Sequence, residues 1–554
     1  MIKVSCLGTK LALAHSDYGF LVGDLAPVVH KNGIRLRFQY RGHLEIWSNF
    51  FSHGLYRIYP KKNSKEEGNA INTVFTKIKH AFTNKMAAFK KELNALKNKI
   101  LKKLHLSKEE KRNLFERLKF FKRKKVDKVQ PTGDSIEEVN ERANITEEMF
   151  QGDMALSDEQ QKQILADING TDSRTKRQAF VYANAQTQWF KGVRYFFDDS
   201  ADEKVQTVFK KAAELWMAET CINFKFISSK MLGIKMKLWT SSKKPKDRLR
   251  VLKGKGCWSY VGRLGGIQNL SLGPGCESID KAAHEIGHTL GFFHTHSRHD
   301  RDQFITVYEG NILPKKLEQY ALQSQELNNN YNITYDYGSV MHYGATSSSI
   351  GNNMLTMVPK DVQYTETLGS PFIGFYDLLM INTHYNCFGN CNGTTTKCQN
   401  NGFVNPRNCS KCVCPSGYGG DFCEKRPPGC GAELDATGEW KSLVDEVGNR
   451  TAGHIIREDF MKCNYWIKAP DDKKIEVKVV SFTDGVAVDG CTYAGVEIKT
   501  HSDQGLSGHR FCSWNTTTVL KSELNKQFKY DNGFSLTFLG FLCSSMHRGV
   551  DAAE

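Results

Sequence analysis

The chain has 554 residues, 40% of them hydrophobic, and a formal net charge of +16. That length is too great for one core and predicts about three to five folding units. No stretch is long and apolar enough to span a bilayer, and the charge is local: residues 61–130 hold 22 Lys/Arg against 7 Asp/Glu, so the rest of the chain is nearly neutral.

Sixteen cysteines are present, and only Cys6 precedes residue 221. Such clustering predicts oxidising surroundings. Eight glycosylation sequons agree with this, at Asn144, Asn169, Asn269, Asn332, Asn392, Asn408, Asn449 and Asn515. The start of the chain offers only the short patch Leu11-Ala12-Leu13-Ala14 where a secretory leader has about 7–15 apolar residues. The cysteines outweigh it, and the chain reads as secreted, with either an unusual leader or a wrongly assigned first exon.

In chain order, residues 1–60 carry one alternating run, Ile34 to Tyr40, that predicts a strand, and no function is assigned there. Residues 71–125 predict a helix, because Phe75, Ile78, Phe82, Met86, Phe89, Leu93, Leu96, Ile100 and Leu104 recur at three- and four-residue steps with Lys on the other faces. Binding to a membrane surface or a polyanion is one reading of this stretch; a solvated helical pro-segment is the plainer one. No nucleic-acid motif accompanies the charge, which discounts that partner. Phe150-Gln151-Gly152-Asp153-Met154 puts a carboxylate beside a glycine, and Arg174-Thr175-Lys176-Arg177 is a dibasic run. Alone, the first is an ordinary loop acid and the second a solvated charge cluster.

Trp189 to Phe197 predicts an early strand. Val205 to Thr220 predicts a helix with Val208, Ala212, Leu215 and Trp216 on one face, and Cys257 to Arg263 precedes the motif that decides the reading. That motif is His284-Glu285-Ile286-Gly287-His288-Thr289-Leu290-Gly291-Phe292-Phe293-His294, an HExxHxxGxxH pattern. One helical turn separates His284 from His288, so both imidazoles grip one metal ion from one face. Glu285 stands close enough to take a proton from a metal-bound water. A continuing helix would carry His294 away, but Gly291 tolerates φ > 0, ends the helix and returns His294 to the metal. Three His and one open position describe a catalytic rather than a closed structural zinc site. HExxH alone is a weak signal; Gly291 and His294 at these offsets make it strong. About 50 residues on, Ser339-Val340-Met341-His342-Tyr343 has the form of a Met-turn, with Met341 as an apolar floor. His296 and His299 are expected to be structural or exposed.

HEIGHTLGFFHTHSRHDRD followed by SVMHY resembles the astacin branch of the metzincin metallopeptidases, strongly over residues 150 to 387. The resemblance implies an α+β, zincin-type domain with one Zn2+ held by His284, His288 and His294. It implies Glu285 as general base and acid, and Tyr343 as a movable fifth ligand that helps hold the oxyanion. One position departs: the residue after the third His is usually a Glu that pairs with the mature N-terminus, and here it is Thr295. The stretch Phe150 to Met154 is similar to the FxGD motif of astacin pro-segments, which implies that Asp153 occupies the zinc in a zymogen. Arg174 to Arg177 resembles a furin-type signal, which implies a pro-protein convertase cutting before Gln178. The strand at Cys257 is, in the family, the edge that binds extended substrate.

The expected domains are 1–60 unassigned, 61–177 a basic helical pro-segment, 178–387 the peptidase, 388–426 an EGF-like module and 430–543 a CUB β-sandwich. Spacing leaves the six cysteines from Cys391 to Cys423 with fifteen possible pairings. The EGF-like resemblance implies 391–409, 398–412 and 414–423, the CUB resemblance 430–463 and 491–512, and the peptidase resemblance 221–387 and 257–276. Cys6 and Cys543 are left over. Many CUB domains bind calcium through an Asp where this chain has Ala494, so no calcium is expected. Ile475 to Val480 alternates as a half-buried strand does.

Together these readings describe a secreted zinc endopeptidase made as a zymogen, acting through a zinc-bound water activated by Glu285. Its substrates would be extracellular proteins such as matrix or cuticle, the latter by likeness to roundworm members of the same layout, with EGF and CUB modules making protein contacts. Rival readings are an inactive protease scaffold, a polyanion-binding protein driven by residues 61–130, and a zinc hydrolase of small molecules. The first needs a broken site, yet His284, Glu285, His288 and His294 are all present.

Overall fold

The computed structural model describes residues 88–119, 121, 127–169, 187–227, 247–325, 328–351, 354–447, 461–470, 473–482, 486–513 and 518–523, and backbone strands within 27–60 and 533–553. Phe75, Ile78, Phe82, Met86, Arg174 to Gln178, Cys6, Cys543, Asn449 and Asn515 lie outside the described residues. The chain forms two compact units, Met1–Ala87 and Ala88–Glu554.

In the first unit four strands, β1 Pro27–His30, β2 Gly33–Tyr40, β3 Leu44–Asn49 and β4 Arg57–Pro60, make an antiparallel sheet in sequence order. The strand expected at Ile34 to Tyr40 is β2.

The second unit opens with helical residues 88–95, then α1 Lys97–Leu104 and α2 Lys108–Leu118. The single helix expected here is interrupted at Leu96 and again at His105, whose extended backbone hands over to Ser107. Ser107 starts the next helix by a reciprocal cap: its hydroxyl accepts from the Glu110 amide and its own amide donates to the Glu110 carboxylate at 2.8 Å. Nor is this segment merely solvated. Phe89, Leu93, Ile100, Leu104 and Leu114 are buried, and Arg117 donates to the Pro359 carbonyl and the Thr306 hydroxyl, each at 2.8 Å. The apolar stripe is thus used against the protein's own surface. Helices α3 Ile136–Arg142 and α4 Asp158–Asn169 follow.

A six-stranded sheet forms the next layer, from β5 Met154–Ala155, β6 Val193–Phe197, β7 Phe224–Phe226, β8 Arg248–Leu252, β9 Cys257–Tyr260 and β10 Ile267–Leu272. Its order is β5-β9-β10-β8-β6-β7, all neighbours parallel except β9 against β10. The strand expected from Trp189 begins only at Val193, because residues 189–192 turn and send Trp189 into the core. Two long helices, α5 Glu203–Ala218 and α6 Ile279–Leu290, share the core with this sheet. Val205, Val208, Phe209, Ala212, Ala213 and Trp216 form the buried face of α5, whereas Leu215, expected there, is 50% exposed. Two buried indoles grip α6: Trp216 Nε1 donates to the Ala283 carbonyl at 3.0 Å and Trp189 Nε1 to that of Thr289 at 2.9 Å. Helix α7 Phe375–His384 and the disulfides Cys221–Cys387 and Cys257–Cys276 complete this part.

Two short pairs follow, β11 Ile305–Val307 with β12 Met357–Pro359, and β13 Phe403–Asn405 with β14 Asn408–Val413. The second lies among the disulfides 391–409, 398–412 and 414–423. The remainder is two sheets over one core. One has the order β15-β17-β22-β19-β20 (Glu433–Asp435, Met461–Lys468, Gly533–Gly540, Ala494–Lys499, His509–Phe511). The other is β16-β23-β18-β21 (Lys441–Val447, Met546–Ala553, Glu476–Phe482, Val519–Lys521). Ile475, Val477 and Val479 alternate into its core with Val496, Ile498 and Phe511. The bridges 430–463 and 491–512 are those the resemblance implied.

The indole clamp gives a stability prediction. Trp216→Ala, which leaves a large void beside α6, should cost about 3–5 kcal/mol. Trp216→Phe, which mainly deletes the hydrogen bond, should cost about 1 kcal/mol. Denaturant midpoints of the two variants check the ranking.

Candidate metal centre

Helix α6 runs from Ile279 to Leu290, and every residue from Lys281 to Leu290 is buried. At its end Gly291 takes φ of +115°. That conformation suits glycine, and it turns the chain so that His294 comes back toward the helix. Gly287 has a different use. A Cβ there would stand 2.5 Å from Met341 Sδ, so the missing side chain is what lets Met341 pack directly under the histidines.

The three rings meet through Nε2. His284 Nε2 lies 3.1 Å from His288 Nε2 and 3.3 Å from His294 Nε2. Each Nδ1 faces an oxygen instead: the Val340 carbonyl at 2.7 Å, the Phe292 carbonyl at 2.8 Å and the Gln151 side-chain oxygen at 3.1 Å. A carbonyl only accepts, so Nδ1 carries the proton and each Nε2 turns a lone pair toward the same point. Asp153 closes the fourth side, with Oδ2 3.3 Å from His284 Nε2 and 3.2 Å from His294 Nε2, and Oδ1 3.5 Å from His288 Nε2. Burial pushes His294 down to about 4, which keeps that ring neutral.

This donor set fits zinc. Bonds of about 2.0–2.1 Å in a tetrahedron place the nitrogens about 3.3–3.4 Å apart, close to the separations found. Lone pairs this near repel one another unless a cation lies between them. Glu285 is fully buried with no hydrogen-bond partner for either carboxylate oxygen among the described residues, and burial, then the Asp153 charge, raises its carboxyl well above the ordinary value.

Asp153 arrives on a tight loop. Phe150 and Met154 exchange backbone hydrogen bonds at 2.8 and 3.0 Å, and Gly152 between them has φ of +86°. Asn140 of α3 ties the loop to β9. Its amide donates to the Gly152 carbonyl at 3.0 Å and the Cys257 carbonyl at 2.7 Å, and accepts from the Cys257 amide at 2.7 Å. The outer edge of β9, expected to receive substrate, is here paired with β5. The Tyr343 hydroxyl donates to the Gln151 carbonyl, and its ring packs 4.6 Å from His294. Three residues on, the turn is held from the sandwich: Asp489 Oδ2 accepts from the Thr346 amide at 3.0 Å and its hydroxyl at 2.6 Å.

His296 and His299 stand outside the cluster. His296 faces the Gln319 carbonyl at 3.1 Å, and His299 accepts from Asn330 at 3.0 Å. Thr295 meets the Ser339 hydroxyl at 2.8 Å, and Ser339 donates to Asp377 at 2.6 Å, so a carboxylate from α7 stands near the position where a Glu was expected. Burial pushes Asp377 up to about 6. Asn140, Gln151 and Asp377 were not foreseen. No local pattern marks them, and only the fold brings them here.

A family model described as Astacin (Peptidase family M12A) matches residues 181–386. The chain is 43% identical over 406 residues to zinc metalloproteinase nas-31 of Caenorhabditis elegans, a match that covers 72% of this chain and 63% of that protein. It is 33% identical over 363 residues to zinc metalloproteinase nas-25 of the same organism, covering 63% of this chain and 86% of that one. Among solved structures, high choriolytic enzyme 1, a hatching-enzyme zinc-protease of the medaka Oryzias latipes, is 26% identical, with 38% of this chain and 94% of that chain covered and a TM-score of 0.30. The chain therefore spans a little under two thirds of the length of nas-31.

Gly291→Ala tests the turn. Left-handed backbone costs an L-residue about 1–2 kcal/mol, and relief of that strain moves His294. The variant should unfold at lower denaturant and retain less zinc after dialysis, read by metal analysis.

Proposed function

The chain belongs to the astacin family, peptidase family M12A, and we propose that it is a secreted zinc-dependent endopeptidase made as a zymogen. The observation that carries this reading is the convergence of three imidazole nitrogens and the Asp153 carboxylate on one point. His284, His288 and His294 would hold the zinc. When bound, zinc supplies Lewis acidity toward a carbonyl oxygen and toward water. Glu285 takes the proton of the attacking water and passes it to the leaving amine; its raised affinity for a proton suits both steps. Tyr343 leaves the Gln151 carbonyl once the pro-segment goes, and its hydroxyl donates to the developing oxyanion.

Latency follows from occupancy. Asp153 takes the place that substrate needs at the metal, while Met154–Ala155 takes the strand edge it needs on β9. Cutting after Arg177 by a convertase releases both, and extended substrate then adds to β9 through backbone hydrogen bonds. Seven disulfides within residues 221–512 accord with an oxidising, extracellular setting and substrates among extracellular proteins such as matrix or cuticle. We assign residues 388–426 to an EGF-like module and the sandwich to a CUB module, both as sites of protein contact.

Two variants test the roles. Glu285→Ala should keep its zinc, by metal analysis, and lose about 10²–10⁴-fold in peptide cleavage. Turnover at the wild-type rate removes Glu285 from the chemistry. Asp153→Ala should make the uncut chain cleave a quenched peptide without processing. An uncut variant as silent as wild type assigns latency to the remaining contacts rather than to the carboxylate.

A further inference from the structure

The stretch from Asp127 to Asp134, ahead of α3, is gripped by the sandwich. The Asp127 amide donates to the Ala487 carbonyl at 2.8 Å, and the Ala487 amide donates back to the Asp127 carboxylate at 3.0 Å. At the other end of the stretch the Tyr493 hydroxyl donates to Asp134. The Asp134 carboxylate also accepts from the Val129 amide at 2.8 Å and the Gln130 amide at 2.9 Å, which closes the stretch into a loop. Ala487, Tyr493 and Asp134 are buried. Hydrogen bonds to a carboxylate are the stronger kind, and a buried donor that loses its acceptor is left with an unmet desolvation cost.

The receiving side is fixed by bonds of its own. Cys491 is bridged to Cys512, and Asp489 accepts from Thr346 of the peptidase. The peptidase also seats the gripped loop directly: a Cβ on Gly275 would stand 2.8 Å from Thr132 Cβ. From this anchor the chain runs straight into α3. The Asp134 amide donates to the Glu138 carboxylate at 2.8 Å, and the Ser135 hydroxyl accepts from the Glu138 amide at 3.2 Å to cap the helix. Further along α3, Asn140 fastens Gly152, the neighbour of Asp153. One short helix therefore joins the sandwich contact to the carboxylate on the histidines. Cutting the chain after Arg177 breaks none of these bonds, so cleavage permits release and the contacts decide when it happens.

We infer that residues 486–493 of the sandwich are one half of a docking site for the pro-segment, through the Ala487 backbone and the Tyr493 hydroxyl, and that the cut pro-segment stays on the enzyme as a bound inhibitor whose lifetime this contact sets. The inference rests on the zymogen reading above and adds a module, remote in sequence from the peptidase, to its regulation. Most of the affinity change from losing such a contact falls on the dissociation rate.

The test uses the full chain with residues 174–177 replaced by the recognition site of a site-specific protease. After cutting, timed samples are passed through gel filtration to follow the pro-segment, and cleavage of a quenched peptide is followed in parallel. In the otherwise unaltered chain the cut pro-segment should co-elute with the enzyme and leave slowly. Tyr493→Phe should speed its departure about tenfold. Asp134→Ala should speed it at least as much, and adding Tyr493→Phe to Asp134→Ala should add nothing further, because both remove the same bond. A sandwich merely loosened by the substitution would speed release in the Asp134→Ala background too. A pro-segment that departs at once on cutting, equal release with and without Tyr493→Phe, or a further tenfold in the double variant overturns the docking site. Release by gel filtration with no peptide cleavage overturns the peptidase reading and leaves the docking site standing.

Discussion

Three imidazole lone pairs held a little over 3 Å apart are the constraint around which this structure is arranged. Neutral nitrogens do not gather this way unaided, since each loses its water and faces the others' partial negative charge. The surroundings therefore do two jobs. Oxygens on the far side of each ring fix which nitrogen is protonated, and packing fixes where the rings stand. The Trp216 and Trp189 indoles hold α6 from the core, Met341 fills the space beneath Gly287, and the Gly291 turn sets the third ring.

The loop from Phe150 to Met154 meets this arrangement with its own chemical complement. A carboxylate supplies negative charge where the imidazoles supply electron pairs, and Asn140 joins the loop to β9 with one hydrogen bond to Gly152 and two to Cys257. One short segment thereby meets both the three histidines and the edge of β9, and its grip is distributed over backbone, amide and carboxylate rather than placed on Asp153 alone.

What the sequence made legible is what covalent spacing determines. His284 and His288 fall on one face because 3.6 residues make a turn, and a glycine three residues later is a readable stop. The half-buried run at Ile475 to Val480 was legible for the same kind of reason, a period of two. What stayed hidden depends on partners distant in the chain. Nothing in Ile136 to Arg142 distinguishes Asn140, whose three hydrogen bonds reach residues 152 and 257. Leu215 looked like core by spacing but lies outside the arc that α5 buries, which Phe209 and Ala213 fill. The apolar stripe of residues 71–125 reads as one solvated helix because the surface that Arg117 meets, at Thr306 and Pro359, is 189 and 242 residues away.

The bond pair from Asp489 to Thr346 has a consequence for how this molecule ages in evolution and answers to force. The sandwich does not hang from the peptidase as cargo on a tether; it buttresses the turn that carries the tyrosine. Mutations that loosen the distant module travel to the chemistry through three residues of backbone, so the two parts must drift together or lose their fit. A tug on the module's outer face is, by the same route, a tug on the Tyr343 hydroxyl.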